Sequence, residues 1–470
     1  MRSVAVKHLT MLLTAATAAG FASAVYTLYP GVMTGDAGFV YADIAKGAFG
    51  DWQSPVMTVL WSLIDPIAPG SGSMMLLTVA LYWLAFGLLA MEVGRRSPRL
   101  ALLLPLLALS PPAIIFVGVI WRDILFAAAW LLAAAVVFAS VGHGRKPLAF
   151  AQALGLPLLA FGVLLRPNAL AAAPFLAVYV LWPSGFLWRR TAAFVLPAAL
   201  VLFGLVQVVY YDLLGAARQH PGHSIMVFDL GGISHFSKEN VFPGAWTTDD
   251  SKLVTESCYH PTAWDIYWTL EPCRFVMDKL GREGLFGSSA LVDAWLHGIA
   301  NHPPAYLKHR VAFMTTFLAD AEFTMGTPDV LGPTTTRFRD GIRLIVFEGL
   351  PGVLTHTPLS RGSFWLLLDA FLCLFVLSRR NTPAGAFVLG VCGSAVVYTA
   401  SFLIVGVATD FRYHYWAVLA GLTGSIVAVR QRTTRLDDQP PLGAARCQGM
   451  SSSMCARGQP PTSRVSNSQR

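Results

Sequence analysis

The chain has 470 residues, of which 55% are hydrophobic and 13% are charged, and its mean hydropathy is +0.56. Soluble globular domains carry about 25% charged residues, so this composition excludes an ordinary soluble protein and indicates a chain that crosses a membrane many times. The formal net charge is +8, but Arg and Lys lie in alternate loops between apolar segments and form no single basic surface. This distribution argues against a nucleic-acid partner and follows the positive-inside rule of membrane proteins.

About ten segments are apolar over the roughly 20 residues that a helix needs to cross a membrane. They are residues 8–28, 74–93, 100–119, 124–141, 147–165, 169–183, 191–211, 363–378, 384–406 and 413–429. Arg and Lys follow every second segment, which predicts that these loops and both termini are cytoplasmic and that the other loops face outward. We therefore expect an all-α polytopic membrane protein with about 10 (10–12) transmembrane helices, in a bacterial inner (plasma) membrane.

Polarity divides the chain into four predicted parts. They are an N-terminal transmembrane core (1–211), an extracytoplasmic cap (212–362), C-terminal transmembrane helices (363–430) and a disordered cytoplasmic tail rich in Ser, Pro, Gln and Gly (431–470). The N-terminus has Arg2 and Lys7 before an apolar run, which is also the pattern of a cleavable signal peptide. With either interpretation, the loop 29–73 faces the outside.

This first outer loop is acidic. It contains Asp36, Asp43, Asp51 and Asp65, with Lys46 as its basic residue. A helix predicted over 36–48 places Asp36 and Asp43 on one face about 10 Å apart, near enough to address one cavity but too far apart to share a proton. Asp36 could instead serve only as a helix cap, because Asp is favoured there. A loop at the membrane surface is where an enzyme acting on a lipid-linked substrate would hold its base.

Three other outer loops carry charged residues next to the membrane. They contain Trp121-Arg122-Asp123, Arg166-Pro167-Asn168 and the run from Asp410 to Tyr415. A single arginine at the end of a span commonly extends to the lipid headgroups. Three arginines on the outer side, Arg122, Arg166 and Arg412, point instead to an anion, and the planar guanidinium suits a phosphate.

The cap is too long to be a simple connector. Its segments 301–323 and 340–355 are predicted to be helices at the membrane interface, although they could also add two spans. Cys258 and Cys273 could form a disulfide on this oxidising side or remain as two thiols. Four aromatic residues could stack on a sugar ring or could pack the cap: Trp246, Trp264, Tyr267 and Trp268.

The run GDAGFVYADIAKGAFGDWQSP, residues 35–55, resembles the first outer loop of the GT-C-type integral-membrane glycosyltransferases, which include protein O-mannosyltransferases and the lipid A aminoarabinose transferase. The matching residues are Asp36, Tyr41, Ala45, Gly50, Asp51, Trp52 and Pro55. WRDILFA, residues 121–127, is similar to the Lys/Arg-Asp element in the second loop of related bacterial members. Ala37 replaces the usual Glu, and Gln53-Ser54 replace a His that often precedes the Pro, so the subfamily and a divalent metal requirement stay open.

The resemblance implies that the protein transfers a sugar, with inversion, from a polyprenyl-phosphate carrier to an acceptor hydroxyl on the outer side of the membrane. The acceptor would be a glycan, a lipid or a protein, and the lipid donor removes the need for a nucleotide-sugar domain. The resemblance further implies Asp36 as the general base and Arg122, Arg166 and Arg412 as ligands of the donor phosphate. The implied supporting residues are Asp43, Asp51, Asp123 and Tyr413.

Two other functions stay open at this point. A polymerase or ligase of lipid-linked glycans would also combine many spans with a large outer loop that carries arginines. A transporter or flippase is suggested by Asp369, which lies within a predicted span, where a charged group is costly. A transferase requires Asp36 and the arginines around one outward pocket, whereas a carrier requires charged groups near the middle of the membrane.

Overall fold

The computed structural model describes residues 2–319 and 336–437. Over these residues the protein is 77% helical and has no strands, only three isolated bridges. Among the described residues, seven helices are long and apolar enough to cross a membrane: Lys7–Leu28, Gly72–Gly94, Arg122–Ser140, Arg145–Leu165, Trp188–Leu213, Gly362–Arg379 and Pro383–Val405. The prediction of an all-α membrane protein is confirmed, and the count of about 10 spans stays a prediction.

The helices are numbered in chain order. They are α1 (Arg2–Leu28), α2 (Gly35–Lys46), α3 (Pro55–Ile64), α4 (Gly72–Gly94), α5 (Pro98–Ala108), α6 (Pro111–Ile114), α7 (Arg122–Ser140), α8 (Arg145–Leu165), α9 (Ala173–Leu181), α10 (Trp188–Gln207), α11 (His223–Ser237), α12 (Thr248–Glu256), α13 (Ile266–Thr269), α14 (Phe275–Arg282), α15 (Ser289–Asn301), α16 (Pro303–Ala319), α17 (Arg337–Leu344), α18 (Leu350–Leu354), α19 (Gly362–Val376), α20 (Pro383–Val405) and α21 (Tyr415–Asp437). Short 3-10 or π-helical turns extend or join several of them.

Two of the predicted spans are interrupted. Residues 100–119 are divided between α5 and the four-residue α6, because Pro111 and Pro112 cannot donate the backbone hydrogen bonds that would continue the first helix. Residues 169–183 contain the end of a 3-10 turn, Pro167–Ala171, and the nine-residue α9. None of the three helices α5, α6 and α9 alone has the length that a membrane crossing needs.

The C-terminal part is described as far as Asp437. Most of the predicted span 413–429 lies in α21, which begins at Tyr415 after a 3-10 turn, Phe411–His414, and continues to Asp437, inside the predicted tail. The rest of the tail, 438–470, lies outside the described residues. The orientation of the two termini and the boundaries of the four parts stay predictions.

The transmembrane helices pack around α7, which is buried along most of its length. It contacts α4 and α8 extensively and also touches α20 and α21. Small residues bring helices close together, as where Gly162 of α8 faces the Trp130 ring of α7. Because α7 begins at Arg122, this central packing fixes Arg122 and Asp123 at one end of the helix core.

The first outer loop folds into α2 and α3. Thr34 caps α2 by accepting a hydrogen bond from the backbone N–H of Ala37 at 3.3 Å, and Gly47 ends the helix in the left-handed conformation, at φ 63°. The helix predicted over 36–48 is therefore present as α2. Since Thr34 is the cap, the carboxylate of Asp36 in the first turn remains available for contacts outside the helix.

The cap contains α11–α16, and the segment 320–335 between α16 and α17 lies outside the described residues. Cys258 and Cys273 form a buried disulfide, which decides between the two alternatives left by the sequence. Within the predicted helix 301–323, α16 packs against α11. In the described part of the chain, neither α16 nor the pair α17 and α18 is among the helices long and apolar enough to cross a membrane.

Candidate functional site

A pocket lies where the ends of the core helices meet the loop 29–73. It is partly open to solvent. It is lined by Asp36, Ala37, Val40, Gln53, Met57, Ile120, Trp121, Arg122, Asp123, Arg166 and Arg412. The lining thus brings together five predicted site residues, although Asp36 and Arg412 are 376 positions apart in the sequence.

Asp36 is the most exposed charged partner in this pocket, with 44% of its side chain accessible. Its Oδ2 lies 2.7 Å from Nη1 of Arg412, and its Oδ1 accepts a hydrogen bond from the Gln53 amide at 3.3 Å. Burial raises the pKa of Asp36, but the charge and hydrogen bond of Arg412 and the charges of Arg122 and Arg166 lower it by more, so the net pKa is lowered. The pKa lies below its ordinary value of 3.8, so the carboxylate is ionised at neutral pH.

Arg412 is held from several directions. Besides the contact with Asp36, its Nη2 lies 3.1 Å from Oδ2 of Asp410 and donates a hydrogen bond to the Tyr413 hydroxyl at 3.2 Å. Its guanidinium also lies 4.6 Å from the centre of the Trp121 ring, within the range of a cation–π contact. Both terminal nitrogens of Arg412 are therefore engaged, which makes this side chain an anchor for Asp36.

Arg166 and Asp123 form a buried ion pair at the inner wall. Nε of Arg166 lies 2.9 Å from Oδ1 of Asp123, and the two side chains are only 8% and 4% exposed. The guanidinium of Arg166 also lies 4.8 Å from the centre of the Tyr413 ring. Tyr413 thus contacts two pocket arginines without lining the pocket itself.

Arg122 differs from the other two arginines. It donates one hydrogen bond, from Nη1 to the backbone carbonyl of Trp52 at 3.2 Å. Among the described residues no carboxylate lies within ion-pair distance of it, whereas Arg412 is shared between Asp36 and Asp410. The positive charge available to a ligand is therefore concentrated at Arg122, and the most exposed negative charge is that of Asp36.

Two of the predicted supporting residues lie away from the pocket. Asp51 is 8% exposed and joins the first loop to the start of the cap, because it accepts hydrogen bonds from the Tyr211 hydroxyl at 2.7 Å and from the Gln219 backbone at 2.6 Å. Asp43 lies on α2 and does not line the pocket. Asp51 therefore has a tethering contact, and Asp43 is a useful comparison for Asp36.

The cap places a further carboxylate near the pocket, at Asp265. Its neighbour Trp264 donates a backbone hydrogen bond to Val407 at 2.9 Å, which ties this part of the cap to the loop that carries Arg412. Burial raises the pKa of Asp265, and the nearby charges of Asp36 and Asp410 raise it further, although a hydrogen bond from Trp268 opposes them. Sequence reasoning missed Asp265, because the cap shows no local pattern that links it to the first loop.

A buried ionic cluster in the cap also reaches the loop of Arg412. Nε of Arg310 lies 2.7 Å from Asp229, and both side chains are almost fully buried. Arg310 also donates a hydrogen bond from Nη1 to the carbonyl of Gly406 at 2.8 Å. Burial lowers the pKa of His309, which lies 3.1 Å from Asp229, so Arg310 supplies the positive charge of this cluster.

Metal binding was left open by the sequence. Over residues 2–319 and 336–437, no group of three or more His, Cys, Asp or Glu side chains could hold a metal ion. Asp36 is paired with an arginine instead. The residues present therefore do not form a metal site of this kind, and the chemistry is derived from the arginines.

No protein-family model, curated protein or solved structure matches the chain.

Proposed function

We propose that this protein is an inverting membrane glycosyltransferase, which moves a sugar from a polyprenyl-phosphate donor to an acceptor on the extracytoplasmic side. One observation carries the proposal: Asp36, Arg122, Arg166 and Arg412 line a single pocket at the outer ends of apolar helices. The pocket pairs an exposed carboxylate with an arginine that has no carboxylate partner among the described residues. A transfer from a lipid phosphate requires both charges.

In the proposed reaction the carboxylate handles the proton and the arginines stabilise the phosphate. Asp36 accepts the proton of the acceptor hydroxyl while the hydroxyl oxygen forms a bond to the anomeric carbon of the sugar. The bond between that carbon and the phosphate oxygen breaks, and its electron pair stays on the departing lipid phosphate. Arg122, with Arg166 behind it, stabilises the charge that develops on this phosphate.

Arg412 has a different part in this scheme from the other arginines. Its two terminal nitrogens contact Asp36, Asp410 and Tyr413, so its main effect is to orient the base and keep it ionised. A base with a lowered pKa is weak at neutral pH, and it takes the proton as the new bond forms. Arg412 remains near enough to the pocket to contact the donor phosphate.

The surroundings of the pocket suit a lipid donor. Phe39 of α2 is 64% exposed, Leu63 of α3 is 71% exposed, and Ile67, which follows α3, is 78% exposed. Such side chains at the outer end of a helix bundle are favourable against lipid and unfavourable in water. The donor would therefore approach from the membrane with its phosphate at the pocket, whereas a glycan, lipid or protein acceptor would approach from outside.

The test is sugar transfer by the purified protein, with a control on the same helix. Radiolabelled polyprenyl-phosphate sugars and membrane acceptors are incubated with wild type, Asp36→Asn and Asp43→Asn. Loss of a general base lowers the rate about 100-fold or more, so Asp36→Asn should be nearly inactive. Asp43→Asn should retain the wild-type rate, because Asp43 does not line the pocket. Equal rates in wild type and Asp36→Asn would remove Asp36 as the base.

A carrier is the second candidate, and Asp369 is the observation that favours it. This residue is fully buried in α19, one of the seven apolar helices. A charged group at such a depth commonly marks a transport pathway. If wild type cleaves no lipid donor but moves lipid-linked sugars across reconstituted vesicles in a manner abolished by Asp369→Asn, the carrier replaces the transferase.

A further inference from the structure

We infer that the cap carries a binding site for a sugar ring of a glycan acceptor, formed by the indole face of Trp268 and the carboxylate of Asp265. The inference rests on the proposed function and names its acceptor class. The site lies on the cap next to the donor pocket and belongs to neither the first loop nor the arginine cluster.

The first observation is a row of tryptophan rings that leads outward from the pocket. Trp52, whose carbonyl binds Arg122, lies 5.7 Å from Trp264, measured between ring centres. Trp264 is 7% exposed and stacks on Trp268 at 6.0 Å with an angle of 25° between the ring planes. Trp268 is 42% exposed. Trp268 therefore keeps much of its surface accessible while its contact with Trp264 holds it beside the pocket.

The second observation is the position of Asp265 beside this ring. Nε1 of Trp268 donates a hydrogen bond to Oδ1 of Asp265 at 3.1 Å, which fixes the orientation of the indole. A carboxylate can accept hydrogen bonds from sugar hydroxyls at its remaining lone pairs. An aromatic face for the C–H surface of a pyranose and an acceptor for its hydroxyls are thus held side by side.

The third observation is the attachment of this segment to the pocket. Trp264 donates its backbone N–H to Val407, and Ala263 forms an isolated bridge with Ala408, two residues before Asp410. This segment of the cap therefore lies alongside the loop that carries Arg412. Asp265 also lies close enough to feel the charge of Asp36. A sugar bound at Trp268 would thus be a neighbour of the proposed base.

Trp268 could alternatively be an anchor in the headgroup region of the membrane, where Trp is enriched. Leu270 nearby is 56% exposed, which fits such a surface. An interfacial Trp, however, uses its N–H for the headgroups or water, whereas the N–H of Trp268 is already occupied by Asp265. A carboxylate beside the ring would also be costly against lipid. These two points favour the sugar as occupant.

A kinetic experiment separates this site from the donor pocket. Full-length protein in lipid nanodiscs, which avoid glycosidic detergents, is assayed for donor cleavage without acceptor and for transfer to soluble pyranose oligosaccharides. Trp268→Ala should raise the acceptor KM about tenfold and leave donor cleavage unchanged, because loss of one aromatic contact with a ligand weakens its binding about tenfold. Trp268→Phe should restore part of the affinity, and Asp265→Asn should also raise the acceptor KM.

The control variant is Trp188→Ala, which removes a ring that is 51% exposed at the start of α10, far along the chain from the cap segment. It should change neither measurement. An unchanged acceptor KM in Trp268→Ala would overturn the inference, as would a loss of nanodisc incorporation caused by that variant alone, which would identify a membrane anchor.

A binding measurement keeps the inference testable if the proposed function fails. Saturation-transfer NMR detects the same oligosaccharides on the wild-type protein without any donor. Binding that is lost in Trp268→Ala supports the site, and binding that persists in that variant, or that is absent from wild type, overturns it. Absence of donor cleavage by wild type, in contrast, contradicts only the proposed transferase reaction.

Discussion

The ion pair of Asp229 and Arg310 in the cap provides a prediction whose size follows from the structure. The two side chains are 0% and 2% exposed, and the contact is 2.7 Å long. At that distance and an effective dielectric constant of about 20, the attraction is about 6 kcal/mol, most of which offsets the cost of removing the charges from water. Arg310→Met removes the cation and leaves the buried carboxylate with the hydrogen bond from Trp295 at 2.8 Å and with the His309 ring, which lies 3.1 Å away and whose pKa is lowered by burial.

The variant Arg310→Met should lower the free energy of unfolding by about 3–5 kcal/mol, the usual effect of leaving one buried charge without its partner. The double variant Asp229→Asn with Arg310→Met should be more stable than Arg310→Met alone, because the remaining buried charge is gone and an oxygen is retained for Trp295. The transfer rate should also fall in Arg310→Met, since Gly406 loses its hydrogen bond and begins the loop that carries Arg412.

The assay is denaturant unfolding of the full chain in lipid micelles, followed by tryptophan fluorescence and compared among the variants. Arg274→Met is the matched control, because Arg274 pairs with Asp278 at 3.8 Å and both side chains are more than half exposed. An exposed pair of this kind contributes little, so the control should unfold as wild type does. An Arg310→Met protein as stable as Arg274→Met, or a double variant no more stable than Arg310→Met, would refute this account of the ion pair.

Two further predictions concern the pocket. The pKa of Asp36 is lowered, so catalysis and any stability gained from its ionisation are present above pH 3.8 and are lost as the pH falls through the folded-state pKa. Arg412→Gln removes a main cause of this lowering and should move the acidic limb of the pH–rate profile to higher pH. An acidic limb at the wild-type position would contradict this prediction. Arg122→Gln should raise the donor KM about tenfold or more, because a guanidinium contact to phosphate is lost, and Arg122→Lys should recover part of the donor affinity. Titrations of the donor measure this KM, and a change confined to the acceptor KM would contradict the role assigned to Arg122.

The sequence predicted the meeting of Asp36 with the three arginines for a simple physical reason. Apolar length sets where helices cross the membrane, and the alternation of basic loops sets which loops share a side. Short loops on one side of a compact helix bundle must lie near each other. Arg122, Arg166 and Arg412 could therefore be assigned to one region, although hydropathy carries no information about which of them pairs with Asp36.

The contributions of the cap could not be predicted in this way. The hydrogen bonds from Trp264, the neighbour of Asp265, to Val407 and from Arg310 to Gly406 join the cap to the loop of Arg412, and no local periodicity encodes these contacts. Asp43 was expected to address the same cavity because it shares a helix face with Asp36. It lies two turns farther along α2, and that displacement along the axis separates it from the pocket lining.

The disulfide distinguishes the proposed acceptor site on the cap from the proposed donor pocket. Cys258 and Cys273 close a ring of chain that contains Trp264, Asp265 and Trp268, whereas none of the residues that line the donor pocket is a cysteine. Arg122 and Arg166 lie at the ends of α7 and α8, outside this ring. A disulfide forms where the compartment is oxidising, so the proposed acceptor site, unlike these two arginines, would depend on the redox state of its surroundings.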